Sequence, residues 1–204
     1  MKTLLLAALA STSFTAAAFA ADDHMEANGL AAIASGTYEI DKSHGYVNFT
    51  YNHMGLSNPI LSFTDVDATV QLVADDPTKS TLMVDIDPSS VSTGVEVFNG
   101  HLTGEDWLNV AEYDDITFKS TSLTMTDAEN GTLTGDLTLK GVTKPVTLDV
   151  TLNGAKKHPM KNIDAFGITA TGTIMRSEFG LGAYVPAVSD EVELMISAEF
   201  LKAE

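Results

Sequence analysis

From Gly36 to the C-terminus the chain alternates apolar and polar residues with a period of two, the spacing of β-strands that bury one face. Val47, Phe49, Tyr51 and His53 share one side of the first run, with Asn48, Thr50 and Asn52 on the other. Leu61 and Phe63 begin the next run, after which the phase slips to Val66, Ala68, Val70 and Leu72. That slip predicts a β-bulge at Thr64-Asp65. The pattern continues through Leu82, Val84 and Ile86, through Ile116 and Phe118, and through Leu133, Leu137 and Leu139. Val146 to Leu152 follows, then Phe166, Ile168, Ala170 and Ile174, and Val192 to Phe200 closes the chain. Asn130-Gly131 and Asn153-Gly154 read as turns. The expectation is an all-β fold, an antiparallel barrel of about eight strands with Thr-rich outer faces. A two-sheet sandwich gives the same alternation, and periodicity leaves both open.

One stretch breaks the rhythm. Between Thr93 and Tyr113 the alternation stops, and Phe98, His101, Leu102, Trp107 and Leu108 fall at spacings that suit one or two short helical turns. The segment reads equally as a lid over a ligand mouth or as a plug that closes the barrel end. Residues 21–35, rich in Ala and without period, read as a flexible leader or a short helix. Residues 36–204 form the predicted domain.

The N-terminus changes the expected location. Lys2, the apolar run Leu4 to Ala10 and the small-x-small triplet Ala18-Phe19-Ala20 have the layout of a secretory signal peptide cleaved after Ala20. Ser11, Thr12, Ser13 and Thr15 interrupt the run, so it falls short of a spanning helix. Export to the periplasm is the expectation. Loss of residues 1–20 removes one base and no acid, which takes the formal charge from −17 to −18. Such acidity repels phosphate backbones, and nucleic acid is not an expected partner. The chain has no cysteine, which excludes thiol catalysis, lipobox acylation and Cys-based metal sites.

Little in the sequence points to chemistry. Asp41, Ser43 and His44 are close, but strand alternation puts His44 opposite the other two, so a direct relay is not expected. The five histidines show no metal-ligand spacing, and no cofactor is expected. An apolar barrel interior suits a small-molecule pocket better. At ~0.8 kcal/mol per methylene, a buried isoprene unit would gain roughly 3 kcal/mol before ordering and association costs. His53, at the end of its apolar face, could meet a polar head group or be satisfied as a wall residue. The alternatives are an outer-membrane barrel with apolar faces outward, a hydrolase using the Asp41/His44 region, and a filled barrel without ligand.

Tyr38 to Gly55, Val91 to Gly94, His101 to Asn109, Ile116 to Leu123, Gly135 to Leu148 and Met175 to Gly180 form, in this order and spacing, a specific set of stretches. On them the mature chain resembles the YceI family of periplasmic polyisoprenoid-binding proteins over residues 36–204. The resemblance implies a lipocalin-like eight-stranded antiparallel barrel with a short helical lid segment, a tunnel for a quinone or polyprenyl tail, a loose link to envelope stress, and no reaction. Family members often carry an Arg-Asp pair ahead of the His-Leu, where this chain has Phe98-Asn99, which implies a more apolar ligand. The candidate pocket comprises Phe49, Tyr51, His53 and Phe63 on the first strands, and Phe118, Leu148 and Ile168 on later ones. Phe98, His101 and Trp107 join from the insert, and Phe179 from the last connection. The expected partner is a polyisoprenoid or quinone-like lipid, without stable membrane insertion, and a homodimer is left open.

Overall fold

A computed structural model describes residues 29–203. The expected signal peptide and the leader through residue 28 lie outside them. The alternating runs become ten strands among the described residues. They are β1 (Gly36–His53), β2 (Ile60–Phe63), β3 (Val66–Leu72), β4 (Thr81–Ile86), β5 (Val91–Ser92), β6 (Ile116–Met125), β7 (Asn130–Leu139), β8 (Val142–Lys157), β9 (Asp164–Met175) and β10 (Val188–Lys202). One helix, α1 (Glu96–Thr103), follows β5.

Eight strands close a barrel in the order β1-β3-β4-β6-β7-β8-β9-β10, all antiparallel. Closure comes from pairing of β10 with β1, from Tyr38 opposite Lys202 to His53 opposite Val188. That ladder excludes the sandwich. The length of β1 lets its other edge serve two partners: Gly36–Glu39 pairs β3, and Val47–Thr50 pairs β2. At Thr64 and Asp65, where a bulge was expected, the strand instead breaks between β2 and β3, and the break keeps Phe63 and Val66 both facing inward.

Neither Asn-Gly dipeptide makes the turn expected of it. The β6–β7 connection is built by Thr126 to Glu129, with the Asp127 carboxylate accepting the N–H groups of Glu129 and Asn130. Asn130-Gly131 already belongs to β7. Asn153-Gly154 sits inside β8, where the register against β9 shifts between Leu152 and Gly154, so the glycine serves a bulge. The tight hairpin lies at Lys140-Gly141, between Leu139 and Val142, with φ of 50° and 72°. Two successive positive φ values match the twist of the flanking strands. A side chain at Gly141 would also meet the Tyr113 ring, whose carbon lies 2.7 Å from an ideal Cβ.

The two ends of the barrel differ. At one end Phe166 packs edge-on to Tyr38 at 5.3 Å and stacks on Phe200 at 5.0 Å. Residues 30–35 strap this floor. Ile33 is buried against it, the Ala34 N–H donates to the Asp164 carboxylate at 3.0 Å, and the Tyr38 hydroxyl donates to the Ala34 carbonyl at 2.6 Å. The end of the expected leader is therefore part of the packed unit, because Leu30 and Ile33 supply apolar cover that an open floor requires.

Outside, the wall is polar. The outward positions of β10 are Glu191, Glu193, Met195, Ser197 and Glu199, and hydroxyl pairs such as Thr138–Thr143 at 2.8 Å bridge neighbouring strands. A lipid-facing barrel needs an apolar band there. The apolar faces turn inward instead. Among the described residues no helix is long and apolar enough to cross a membrane.

Candidate functional site

The inward faces surround one cavity of about 390 Å³. Its middle is apolar: Val47, Phe49 and Phe63 lie on one wall, Leu133, Leu137, Leu148 and Val150 opposite, and Leu194 and Ile196 between. Burial along β10 shows the hollow directly. Val192, Ala198 and Phe200 are buried, whereas Leu194 and Ile196, on the same inward face between them, are only half-buried. Phe49 and Phe63 stack at 5.3 Å on the β1–β2 wall.

Polar lining gathers at the other end of the barrel, away from the Tyr38 floor. It comprises Tyr51 and His53 at the end of β1, His101 on α1, Trp107 in the following turns, Arg176 after β9 and Tyr184 before β10. The 93–113 insert covers this mouth. α1 turns Phe98 and Leu102 to the cavity and leaves Val97 exposed. Its start is held by Asn99, whose side-chain oxygen accepts from the Thr93 N–H and hydroxyl, both at 2.8 Å. Its far end is fixed by the Lys140 ammonium, which donates to the Glu105 carbonyl at 3.0 Å. Rings of Phe98, His101, Trp107 and Tyr184 follow one another across the opening, 6.4, 6.1 and 6.3 Å apart. The Trp107 Nε1–H donates to His101 Nε2 at 3.0 Å, which fixes that nitrogen as an acceptor.

Arg176 organises the mouth. It is 6% exposed, and it opens a short 3-10 turn that ends at Phe179. Its Nε donates to Ser189 O at 2.8 Å, Nη1 to Ala183 O at 2.9 Å and to Leu181 O, and Nη2 to Val188 O at 3.0 Å. The guanidinium lies 5.7 Å from the Trp107 ring centroid. Burial lowers its pKa, and the charge of Asp190 opposes that shift. Close by, burial raises the Tyr51 phenol while Arg176 pulls it the other way. The Tyr51 hydroxyl has no hydrogen-bond partner among the described residues and remains available to a ligand.

Ten of the eleven candidate residues surround this cavity: Phe49, Tyr51, His53, Phe63, Phe98, His101, Trp107, Phe118, Leu148 and Ile168. Phe179 does not. Alternation ends at Met175, and the turn that follows buries Phe179, 1% exposed, in the apolar cluster of Phe118, Val146 and Leu148, where it does not reach the cavity surface. Sequence reasoning missed Arg176 and Tyr184. Arg176 did carry a signal, as the only arginine among 11 basic residues, placed where an apolar strand ends. Tyr184 lies in a connection without period, and only the fold brings it to Trp107.

The Asp41 region departs from expectation. β1 leaves its ladder between Ile40 and Gly45, so strand alternation does not hold there, and His44 does meet the other two. The Ser43 hydroxyl donates to the Asp41 carboxylate at 2.6 Å, while His44 Nδ1 lies 3.0 Å from Ser43 Oγ and 3.3 Å from that carboxylate. A relay needs the acid on one ring nitrogen and the nucleophile on the other. Here one nitrogen faces both, on the outer wall. The Ser43 hydroxyl holds the Asp41 carboxyl well below the usual range against the opposing effect of burial, with further help from the Ser43 N–H, His44 and Lys161. Glu199 brings a third potential metal-ligand atom within 4.8 Å of those of Asp41 and His44, a grouping that 155 residues of separation had hidden. The Lys161 ammonium, 3.6 Å from Asp41, already supplies a cation there.

Comparison with known proteins extends this picture. Residues 38–200 match the family described as the YceI-like domain. Protein YceI of Escherichia coli O17:K52:H18 (strain UMN026 / ExPEC) is 39% identical over 164 residues, which span 79% of this chain and 85% of that protein. The crystal structure of Campylobacter jejuni YceI superposes with a TM-score of 0.68 at 30% identity, over 75% of this chain and 90% of that one. Burkholderia cenocepacia BcnA shares the fold with a TM-score of 0.71 at 22% identity, over 78% and 98% of the two chains. So does a polyisoprenoid-binding domain from Saccharophagus degradans implicated in plant cell wall breakdown, with a TM-score of 0.60 at 15% identity, over 83% and 100%.

Proposed function

The chain belongs to the YceI-like domain family, and from that premise we propose that it is a periplasmic carrier, not an enzyme, that holds the tail of a polyisoprenoid or quinone-like lipid in its barrel. One observation carries the reading: the inward residues at mid-barrel, Leu194 and Ile196 among them, are half-buried around an apolar cavity of about 390 Å³. A filled scaffold would bury them. At ~0.8 kcal/mol per buried methylene, a hydrocarbon chain gains enough there to exceed association costs without a specific polar contact. The placement of polar groups supports one orientation, with the tail toward Phe200 and the head beside Tyr51, His53 and Arg176. The remaining N–H of Arg176 and the Tyr51 hydroxyl suit an oxygen-bearing head group. The fold shared with the polyisoprenoid-binding domain of Saccharophagus degradans supports the ligand class, and the signal-like N-terminus supports export.

Organic extraction of the purified mature protein, followed by mass spectrometry, tests the reading. A prenylated lipid near one per chain is expected. Repeated recovery of none, together with no uptake of an added polyprenol, would overturn it. Osmotic shock should release the protein, and its retention in spheroplasts would overturn the location.

A further inference from the structure

The floor of the barrel is not closed all the way round. β4 pairs β6 only from Met83 opposite Lys119 to Ile86 opposite Ile116. β6 continues to Met125, bonded from there on to β7 alone. At the point of departure the Leu82 N–H donates to the Ser120 hydroxyl at 2.8 Å in place of a backbone carbonyl, and the chain before β4 runs beside β6 as the short turn Pro77–Lys79, without pairing to it as a strand. The unpaired stretch leaves a slot in the wall, and behind it lies a second cavity of about 110 Å³. Leu123 and Met125 line it from β6, and Leu72 from β3. Leu82, Leu133, Val150, Ile168 and Phe200 line both this space and the main cavity. A single layer of side chains therefore separates the two, and all of them except Phe200 are only half-buried. The outer rim is formed by Ser80, Thr81, Ser120 and Glu129, polar but without a cation.

We propose that this slot is a second, lateral opening through which the far end of a chain longer than the main cavity passes, so that the barrel is threaded rather than capped. The inference rests on the lipid-carrier reading and names its ligand further. The occupant of the slot is a hydrocarbon terminus, because the apolar lining favours it and Glu129 at the rim repels an anionic end group. Displacement of the Leu82 and Val150 side chains joins the two spaces without breaking a backbone hydrogen bond. Chain length is then selected by the slot.

Competition among a graded series of polyprenyl alcohols tests this, with bound chains extracted and quantified by mass spectrometry. Two variants are compared with the wild type. Leu123→Trp fills the second space, and Thr81→Trp covers the rim from an exposed position that folding does not depend on. Both should shift the bound population to shorter chains while short alcohols bind as before, since each methylene denied burial weakens binding about fourfold. An unchanged length distribution in folded variants would overturn the threaded barrel and leave the carrier reading standing. If Leu123→Trp does not fold, Thr81→Trp alone decides, by the same shift or its absence. Failure of the wild type to take up any length overturns the carrier reading and this extension together.

Discussion

Arg176 and Tyr38 hold opposite ends of the barrel by the same rule, that a buried polar group must find its partners locally. The four carbonyls around Arg176 come from the β9–β10 connection and the start of β10, and a planar fork reaches them where a lysine ammonium, a compact charge with three donors, does not. Arg176→Lys should therefore destabilise the protein by about 3 kcal/mol in urea denaturation, through carbonyls left unpaired. The emission of Trp107, the sole tryptophan, should shift with it; unchanged stability and emission would show that the mouth does not depend on the fork. Tyr38 is fully buried, and burial together with the charge of Asp164 raises its phenol to about 12. Against an unfolded value near ~10, its contribution is complete below pH 10 and is lost as the pH rises through 12. Tyr38→Phe should cost about 1 kcal/mol at neutral pH, through the bond to Ala34, and flatten the fall of stability between pH 10 and 12. Denaturation at a series of alkaline pH values measures both. Tyr38 was not legible as a core position, because the excursion between Ile40 and Gly45 puts it out of phase with Val47 and Phe49, and its bond to residue 34 depends on how the preceding strap crosses the floor.

At the scale of elements, strands follow period two only where they stay in a ladder. The phase slip at Thr64-Asp65 could be read because a one-residue slip moves every later side chain to the other face, though the structure makes it with a break between strands and not a bulge. The excursion at Asp41–His44 begins and ends within one strand, leaves the apolar phase interpretable on either side, and so concealed the contact of His44 with Asp41. Turn dipeptides misled for a related reason: Asn-Gly is favoured wherever positive φ or a bulge is needed, and Gly154 serves a bulge while Lys140-Gly141 makes the hairpin. Close approach constrains glycine as well. A Cβ at Gly135 would lie 2.7 Å from the Lys119 carbonyl oxygen and within the Phe118 ring, itself part of the cavity wall. Gly135→Ala should therefore cost about 1–3 kcal/mol by overpacking and reduce lipid retention, as Phe118 is driven inward. Denaturation and extraction on the same preparation check it; wild-type retention would place the strain elsewhere.

As a whole molecule, the protein has one end packed with aromatic rings beside the lateral slot and one end open beneath a helix. Occupancy of such a hollow adds to stability only through the ligand. A lipid present at about 100 times its Kd adds ~2.7 kcal/mol, and for a chain of this size that raises Tm by about 5–10 °C. Delipidated and reloaded samples compared by calorimetry should differ by that amount, and equal Tm values would mean that the folded protein does not hold the lipid. The sequence by itself determined most strands, their apolar faces, the phase slip after Phe63 and ten of the cavity's side chains, because these follow from local periodicity and from hydrophobic burial. Family likeness then carried the barrel beyond what periodicity could separate from a sandwich. The tertiary structure alone decided that β10 closes on β1, that Phe179 is buried short of the cavity and Arg176 packs at the mouth, and that β4 stops short and opens the slot. These depend on where chain segments far apart in sequence meet, and no local spacing encodes that meeting.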